Sequence, residues 1–360
     1  MSCAIERGLK KEKPDIDTVI IPLADGGDGT IEAIECFGDE IIEIQTVDPL
    51  GNNIQVPVLR IGSKILCEMA KSTGIWRLPK EYRDPLKTSS YGFGLVIRRA
   101  AELGFSNILL GIGGSATNDA GVGMLQALGY RFFDKKGVSL GVNYNGLHCL
   151  TGSHLSRIAA VDSAEVPAYV SSLKIEVACD VNNPLTGIYG ATRVYGPQKG
   201  ATPRNIELLE KGVSDFAALS KRYLGADFSE APGAGAAGGV GFALAAFCNA
   251  ELKSGWKILF DLLDIEQHIK KADLVITGEG RVDGQSLSGK LLDGAIEMTI
   301  KHKKPLWVFC GDNLLTEREL EQAGIDKLFS ISQLQPCKYQ AIAKGAYYLE
   351  KISQNAATFL

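Results

Sequence analysis

The stretch from Ile108 to Gly129, ILLGIGGSATNDAGVGMLQALG, holds the residue types of an anion-binding turn. An apolar run meets Gly111, Gly113 and Gly114, which let a backbone approach a ligand closely. Ser115, Thr117, Asn118 and Asp119 then offer hydroxyls, an amide and a carboxylate. They sit where a helix should start, and the free N–H groups of a helix start attract anions. An ordinary capped turn between strand and helix needs one glycine and one cap. This one has more of both, so ligand binding is the better reading.

Acidic residues recur in similar settings. Asp25 opens D-G-G-D-G-T with Gly26 and Gly27; Asp180 opens D-V-N-N-P with Asn182 and Asn183; Glu279 leads E-G-R-V-D-G with Arg281 and Asp283. Singly, each is a turn former or a cap. Together, at the carboxyl ends of expected strands, they mark where open α/β sheets bind ligands. The expectation is a metal and phosphate site at a cleft between domains. The polar run from 183 to 202 fits a substrate or phosphate loop, in which Arg193 or Lys199 would partner a carboxylate.

Other motifs are weaker. Gly233 to Gly238 spells G-x-G-x-x-G, but the preceding GADFSE is not a strand, so the dinucleotide fingerprint fails on context. A glycine-rich helix start backing onto phosphate and a helix packed through small residues are equally good readings. Gly284 to Lys290 lacks the Ser or Thr of a P-loop, because Leu291 stands there. No G-x-S-x-G turn occurs, and His148, His154, His268 and His302 lie outside these loops, which disfavours Ser-His-Asp hydrolysis.

The elements that must position these loops alternate as α/β units. In the C-terminal part, Asp273 to Thr277, Pro305 to Cys310 and Lys327 to Ile331 read as parallel strands. Helices are expected at Lys290 to Lys301, after Thr316 and from Tyr339 to about Ile352. Cys3 to Lys11 reads as a helix and Asp17 to Leu23 as a strand of the same sheet. Between lie strands at Gln55 to Ile61, Lys64 to Glu68 and Lys174 to Cys179. The expected fold is a discontinuous, doubly wound Rossmann-like domain (1–60 and 265–360) with a second α/β domain inserted (61–264).

A chain of 360 residues exceeds one hydrophobic core. A hydrophobic share of 45% and a net charge of −4 suit a soluble protein and argue against nucleic-acid binding. Apolar runs are strand-length, so no membrane partner is expected, and no signal peptide is visible. The 8 cysteines form no C-x-x-C pair, as in a reduced cytoplasmic protein without zinc.

ADGGDGT (24–30), GIGGSATNDAGVGMLQALG (111–129), DVNNPLTGIYGAT (180–192), YGPQKGA (195–201), GAGAAGGVG (233–241) and VITGEGRVDGQSLSGK (275–290) resemble, in order and spacing, the signature blocks of the bacterial glycerate kinase type I family. The resemblance covers nearly the whole chain. It implies phosphoryl transfer from ATP, with Mg²⁺, to D-glycerate, usually giving 2-phosphoglycerate, at a site between the two domains. Family members normally open with an apolar strand and a D-S-F-K-G-S loop, whereas this sequence begins inside the following helix, at MSCAIERGLKK.

In-line phosphoryl transfer needs positioning, charge neutralisation and an acceptor for the hydroxyl proton. Asp180 is the expected acceptor, with Asp119 second. Asp25 or Glu279 would hold Mg²⁺. Gly113, Gly114, Ser115 and Thr117 would cradle the nucleotide phosphates with Gly233, Gly235, Gly238 and Gly239. Arg193, Lys199, Arg281 and Lys290 are the candidate cations, and Gly26, Gly27, Asn182 and Asn183 would meet substrate. Two alternatives stand: an impaired glycerate- or nucleotide-binding paralogue, and, more remotely, a nicotinamide-dependent oxidoreductase. A homodimer is left open.

Overall fold

The computed structural model describes residues 1–24, 26–143, 146–284, 286–287 and 291–360. They form two compact units, Ala24–Ile258 and a discontinuous one of Met1–Leu23 with Leu259–Leu360. The α/β class and the insertion therefore match expectation. Residues 24–60 were expected with the flanking unit, yet they belong to the inserted one. The reason is a ladder that sequence pattern alone does not reveal. Strands β1 (Glu40–Val47) and β2 (Asn53–Ile61) pair antiparallel, and β2 pairs in turn with β3 (Lys64–Glu68).

Among the described residues the inserted unit carries a sheet of six strands. Beyond β3 it continues through β4 (Asn107–Gly111), β5 (Lys174–Ala178) and β6 (Glu251–Lys253), all parallel. β3 and β4 are buried over all but their first residue, which is why Ile65–Cys67 and Ile108–Leu110 read as continuous apolar runs. Helix Pro203–Leu224 has its ends fixed locally. Thr202 accepts the Asn205 N–H, Pro203 takes the first position, and Gly225 closes the helix at φ 75°.

The flanking unit holds three parallel strands, β7 (Val275–Val282), β8 (Leu306–Asn313) and β9 (Lys327–Ser330). Helices Ser2–Glu12 and Gly345–Ala356 pack together, with Ile5 and Leu9 against Leu349 and Ile352. Thr316 and Glu319 form a capping box on helix Glu317–Ala323, and Gly324 ends it at φ 82°. Two expectations fail here. Asp17–Leu23 forms no strand: it joins no ladder among the described residues, and Val19 is 73% exposed. An extended apolar run becomes a strand only through a ladder partner. The single closing helix is two, Lys338–Ala343 and Gly345–Ala356, broken at Lys344 before a glycine.

The inserted unit's core centres on aromatic side chains. Phe216 meets Phe132 edge-on at 6.0 Å and Phe242 at 6.2 Å between ring centroids, all three wholly buried. Phe216→Ala is expected to cost about 3–5 kcal/mol of stability, the usual range for a buried Phe. Urea unfolding measures it, and a loss under about 1 kcal/mol would mean that the site collapses around the gap.

Candidate functional site

β4 and β5 lie side by side and parallel, so their carboxyl ends open onto one place. There a cavity of about 270 Å³ is lined by Ile112, Gly113, Gly114 and Ser115 after β4 and by Ala178 to Val181 at the end of β5. Gly26, Gly27, Tyr195, Gln198, Lys199 and Ala237 complete the main walls. The volume sits just below the usual range for small-molecule pockets, about 300–1,000 Å³. It suits a small ligand.

Lys199 is the most informative wall residue. It is 3% exposed, and its Nζ donates to Ser115 Oγ at 2.8 Å and to the Thr117 carbonyl at 2.7 Å. An ammonium has three donors, so one remains for a ligand. Burial pulls its pKa down to about 7, against the attraction of Asp119. Asp180, also a lining residue, accepts the Gly255 N–H on Oδ1 at 2.8 Å. Tyr195 is oriented by its hydroxyl, which donates to Asn183 Oδ1 at 2.7 Å.

The sequence-derived residues divide accordingly. Asp180, Lys199, Ser115, Gly26, Gly27, Gly113 and Gly114 line the cavity together. Asn183 acts one step back, through Tyr195, and Asn182 is exposed and outside the wall. Asp25 and Lys290 lie outside the described residues. Glu279 and Arg281 stand on β7 in the flanking unit, where Arg281 pairs with Asp283 at 3.3 Å.

Several roles are corrected. Asp119, the second choice of proton acceptor, is wholly buried and absent from the cavity wall. Its Oδ2 accepts from Ser90 N and Oγ, both at 2.8 Å, and from Gly123 N, and its Oδ1 accepts from Gly121 N. It thereby fills the start of helix Val122–Ala127, which was expected to hold an anion. Burial raises its pKa against those donors. Arg193 is held by Glu207 through two contacts, at 2.9 and 3.2 Å, and does not line the cavity. Thr117 contributes its carbonyl to Lys199, while its buried Oγ1 has no partner.

The glycines of 233–239 are tightly packed and do not line the cavity. A Cβ on Gly238 would lie 2.0 Å from the Thr117 carbonyl, and one on Gly235 2.2 Å from that of Pro184. Cβ atoms on Gly233 and Gly239 would likewise strike neighbouring loops within 3 Å. Ala236 and Ala237 reach the cavity instead. The run follows a helix and turns, not a strand, which removes the fingerprint that a nicotinamide enzyme would need.

Tyr195, Cys179, Ile75 and Ala237 are wall residues that sequence reasoning did not single out. Tyr195 and Cys179 lay within or beside quoted motifs, but an isolated aromatic or thiol carries no spacing signal. Among the described residues no group of three or more His, Cys, Asp or Glu could hold a metal ion. Among them, too, no helix is long and apolar enough to cross a membrane.

A mixed α/β fold thus brings a buried lysine and a carboxylate into one small cavity at its strand ends. Comparisons with known proteins give the family. The model of the glycerate kinase family matches residues 1–360. Glycerate kinase of Bacillus subtilis is 39% identical over 98% of this chain and 91% of its own length. Glycerate 2-kinase of Escherichia coli is 41% identical over 91% of this chain and 85% of its own. A crystal structure assigned as a glycerate kinase 2 of Salmonella typhimurium LT2 matches with a TM-score of 0.81 at 39% identity, covering 99% of this chain and 92% of that one. The chain belongs to the glycerate kinase family and is an enzyme of that family.

Lys199 also predicts a pH effect. Its folded value of about 7 lies below the ordinary 10.5, so between those values unfolding takes up a proton. Raising the pH then disfavours unfolding, and the penalty for burying the cation fades. Wild-type protein should gain unfolding free energy relative to Lys199→Met as pH rises from 7 to about 9.5. Urea titrations across that range test it, and equal slopes for the two proteins would refute a depressed lysine.

Proposed function

We propose that this chain transfers the γ-phosphoryl group of ATP to a hydroxyl of D-glycerate, giving 2-phosphoglycerate, with the cavity at the ends of β4 and β5 as the acceptor site. The observation that carries the assignment of the site is the meeting of Lys199 and Asp180 in one cavity of about 270 Å³. The relative named glycerate 2-kinase supports the position of phosphorylation.

In this reading the glycerate hydroxyl oxygen forms the new bond to the γ-phosphorus as the bond to the bridging oxygen of ADP breaks. Asp180 takes the hydroxyl proton, as a general base must lie within hydrogen-bond reach of the proton it removes. Lys199 turns its remaining N–H toward the substrate carboxylate or the incoming phosphoryl oxygens. The anion in turn favours the charged lysine, offsetting the cost of its burial. Ser115 Oγ and the Thr117 carbonyl hold Nζ in place, so positioning is set before substrate arrives.

Magnesium enters with ATP, and when bound it neutralises charge on the transferring phosphoryl group. A carboxylate of this chain would help to hold it. Among the described wall residues Asp180 is the carboxylate that would hold it, were it not the base. Glu279 and Asp25 stay as further ligand candidates on sequence grounds.

ADP release dependent on D-glycerate, with the phosphorylated carbon identified by NMR, tests the reaction. Binding of glycerate and nucleotide without ADP release is the result of an impaired paralogue and would overturn the reading. Asp180→Asn tests the role of the acid. As the base, its loss should lower kcat by about 10²–10⁴-fold with the magnesium requirement unchanged. A higher magnesium requirement would make Asp180 a metal ligand instead, and turnover within a few-fold of wild type would remove it from both roles.

A further inference from the structure

The wall formed by Gly26 and Gly27 has no side chain of its own to fix it, yet it is held at several points. A Cβ on Gly111 would lie 2.3 Å from the Gly26 carbonyl, and one on Gly113 2.8 Å from Gly27 Cα. On its other side Gly26 abuts Ala178, at 2.3 Å from its own would-be Cβ. The loop is thus wedged between the ends of β4 and β5. Thr30 Oγ1 donates to the Gly27 carbonyl at 2.9 Å and ties the loop to helix Thr30–Ile34.

What fixes that helix is Glu68, the last residue of β3, which stands beside Gly111 in the ladder. Glu68 as a whole is 2% exposed. Oε2 accepts the Gly29 N–H at 3.1 Å, and Oε1 accepts the Ile31 N–H. A five-residue helix with no side-chain cap of its own thereby has two of its orphan donors satisfied from the neighbouring strand. Lys71 supplies the counter-charge. Its Nζ lies 3.8 Å from Glu68 Oε2, 3.6 Å from Asp28 Oδ1 and 2.5 Å from Glu32 Oε1.

We propose that Glu68 is a positioning residue for phosphoryl transfer: by bridging the Gly29 and Ile31 N–H groups it sets the place of the Gly26–Gly27 wall against the substrate. The proposal rests on the reading of the cavity as the acceptor site. Burial drives the Glu68 carboxyl pKa up, while the Ile31 N–H, Lys71 and the Gly29 N–H oppose that rise. The geometry requires two acceptor oxygens, which a carboxylate has and a carboxamide lacks. With Gln, one N–H would face an NH₂ group and the loop would have to shift. A displacement of about 1 Å far from the reacting atoms can cost on the order of 10²-fold in rate.

The test compares Glu68→Gln and Glu68→Asp in the full chain, with kcat and KM for D-glycerate and for MgATP read well below each variant's melting temperature. Glu68→Gln is expected to fold, to lose at least tenfold in kcat, and to change the KM for MgATP little. Glu68→Asp keeps both oxygens and is expected to recover part of that loss. Retained kcat in folded Glu68→Gln overturns the proposal. So does a loss that only tracks the unfolded fraction, or an Asp variant no better than Gln. Asp180→Asn assayed in parallel separates the two layers: if both acids can be replaced without loss, the cavity reading itself falls, whereas loss in Asp180→Asn alone refutes only the role of Glu68.

Discussion

The buried carboxylate of Asp119 is the constraint from which the site is built. It accepts N–H groups of Ser90, Gly121 and Gly123 and the Ser90 hydroxyl, all within the interior. A buried carboxylate is tolerable only when so many donors surround it. Those donors come from two separate stretches of chain, so satisfying the charge fixes one stretch against the other. The loop from Ile112 to Gly121 follows, and with it the Ser115 hydroxyl and Thr117 carbonyl that receive Lys199. Removing the acid would leave the donors unpaired and free the loop, although Asp119 itself never reaches the cavity.

Close backbone approach is the second constraint. Gly238 lies against Thr117, and Gly239 lies against Ala120. The same loop is therefore pressed from behind by the glycine run, and Ala120 and Ala237 are both driven to φ near 50°. A left-handed residue other than glycine costs of order 1–2 kcal/mol, which the surrounding packing must sustain. Glycines that resemble a phosphate cradle in the sequence thus bring neighbouring loops within contact distance. Side chains such as Ser115 and Lys199 then carry the chemistry.

This explains which parts of the site were legible. Continuous apolar runs such as Ile108–Leu110 declare buried parallel strands, and Thr316 with Gly324 declares a helix from cap to stop. Asp180 and Lys199 stood out because each follows a strand or lies among glycines in a polar segment. Arg193 stood out for the same reason, but nothing in sequence spacing shows that Glu207, on the next helix, already holds it. Asp17–Leu23 has the composition of a strand, yet a ladder is a relation between segments and its partner is not written into either. Glu68 was missed because it ends a strand without a glycine-rich loop after it. Its partners, Gly29 and Ile31, are far away along the chain.

The electrostatics of the cavity favour anion capture over a standing ion pair. Lys199 has no carboxylate among its hydrogen-bond partners; it donates to a hydroxyl and a carbonyl, both neutral. Neutral acceptors offset only part of the desolvation of a cation, and this is why its pKa falls to about 7. A lysine already matched to an acid would gain little from a second anion. One held half-discharged near neutral pH gains most when an anion arrives, because binding and protonation reinforce each other. The carboxylate and phosphoryl groups in glycerate phosphorylation are both such anions. Asp180, whose Oδ1 accepts the Gly255 N–H, lines the same cavity, where a carboxylate can serve a proton or a metal ion. A lysine whose own hydrogen-bond partners are a hydroxyl and a carbonyl keeps its charge for the reactants.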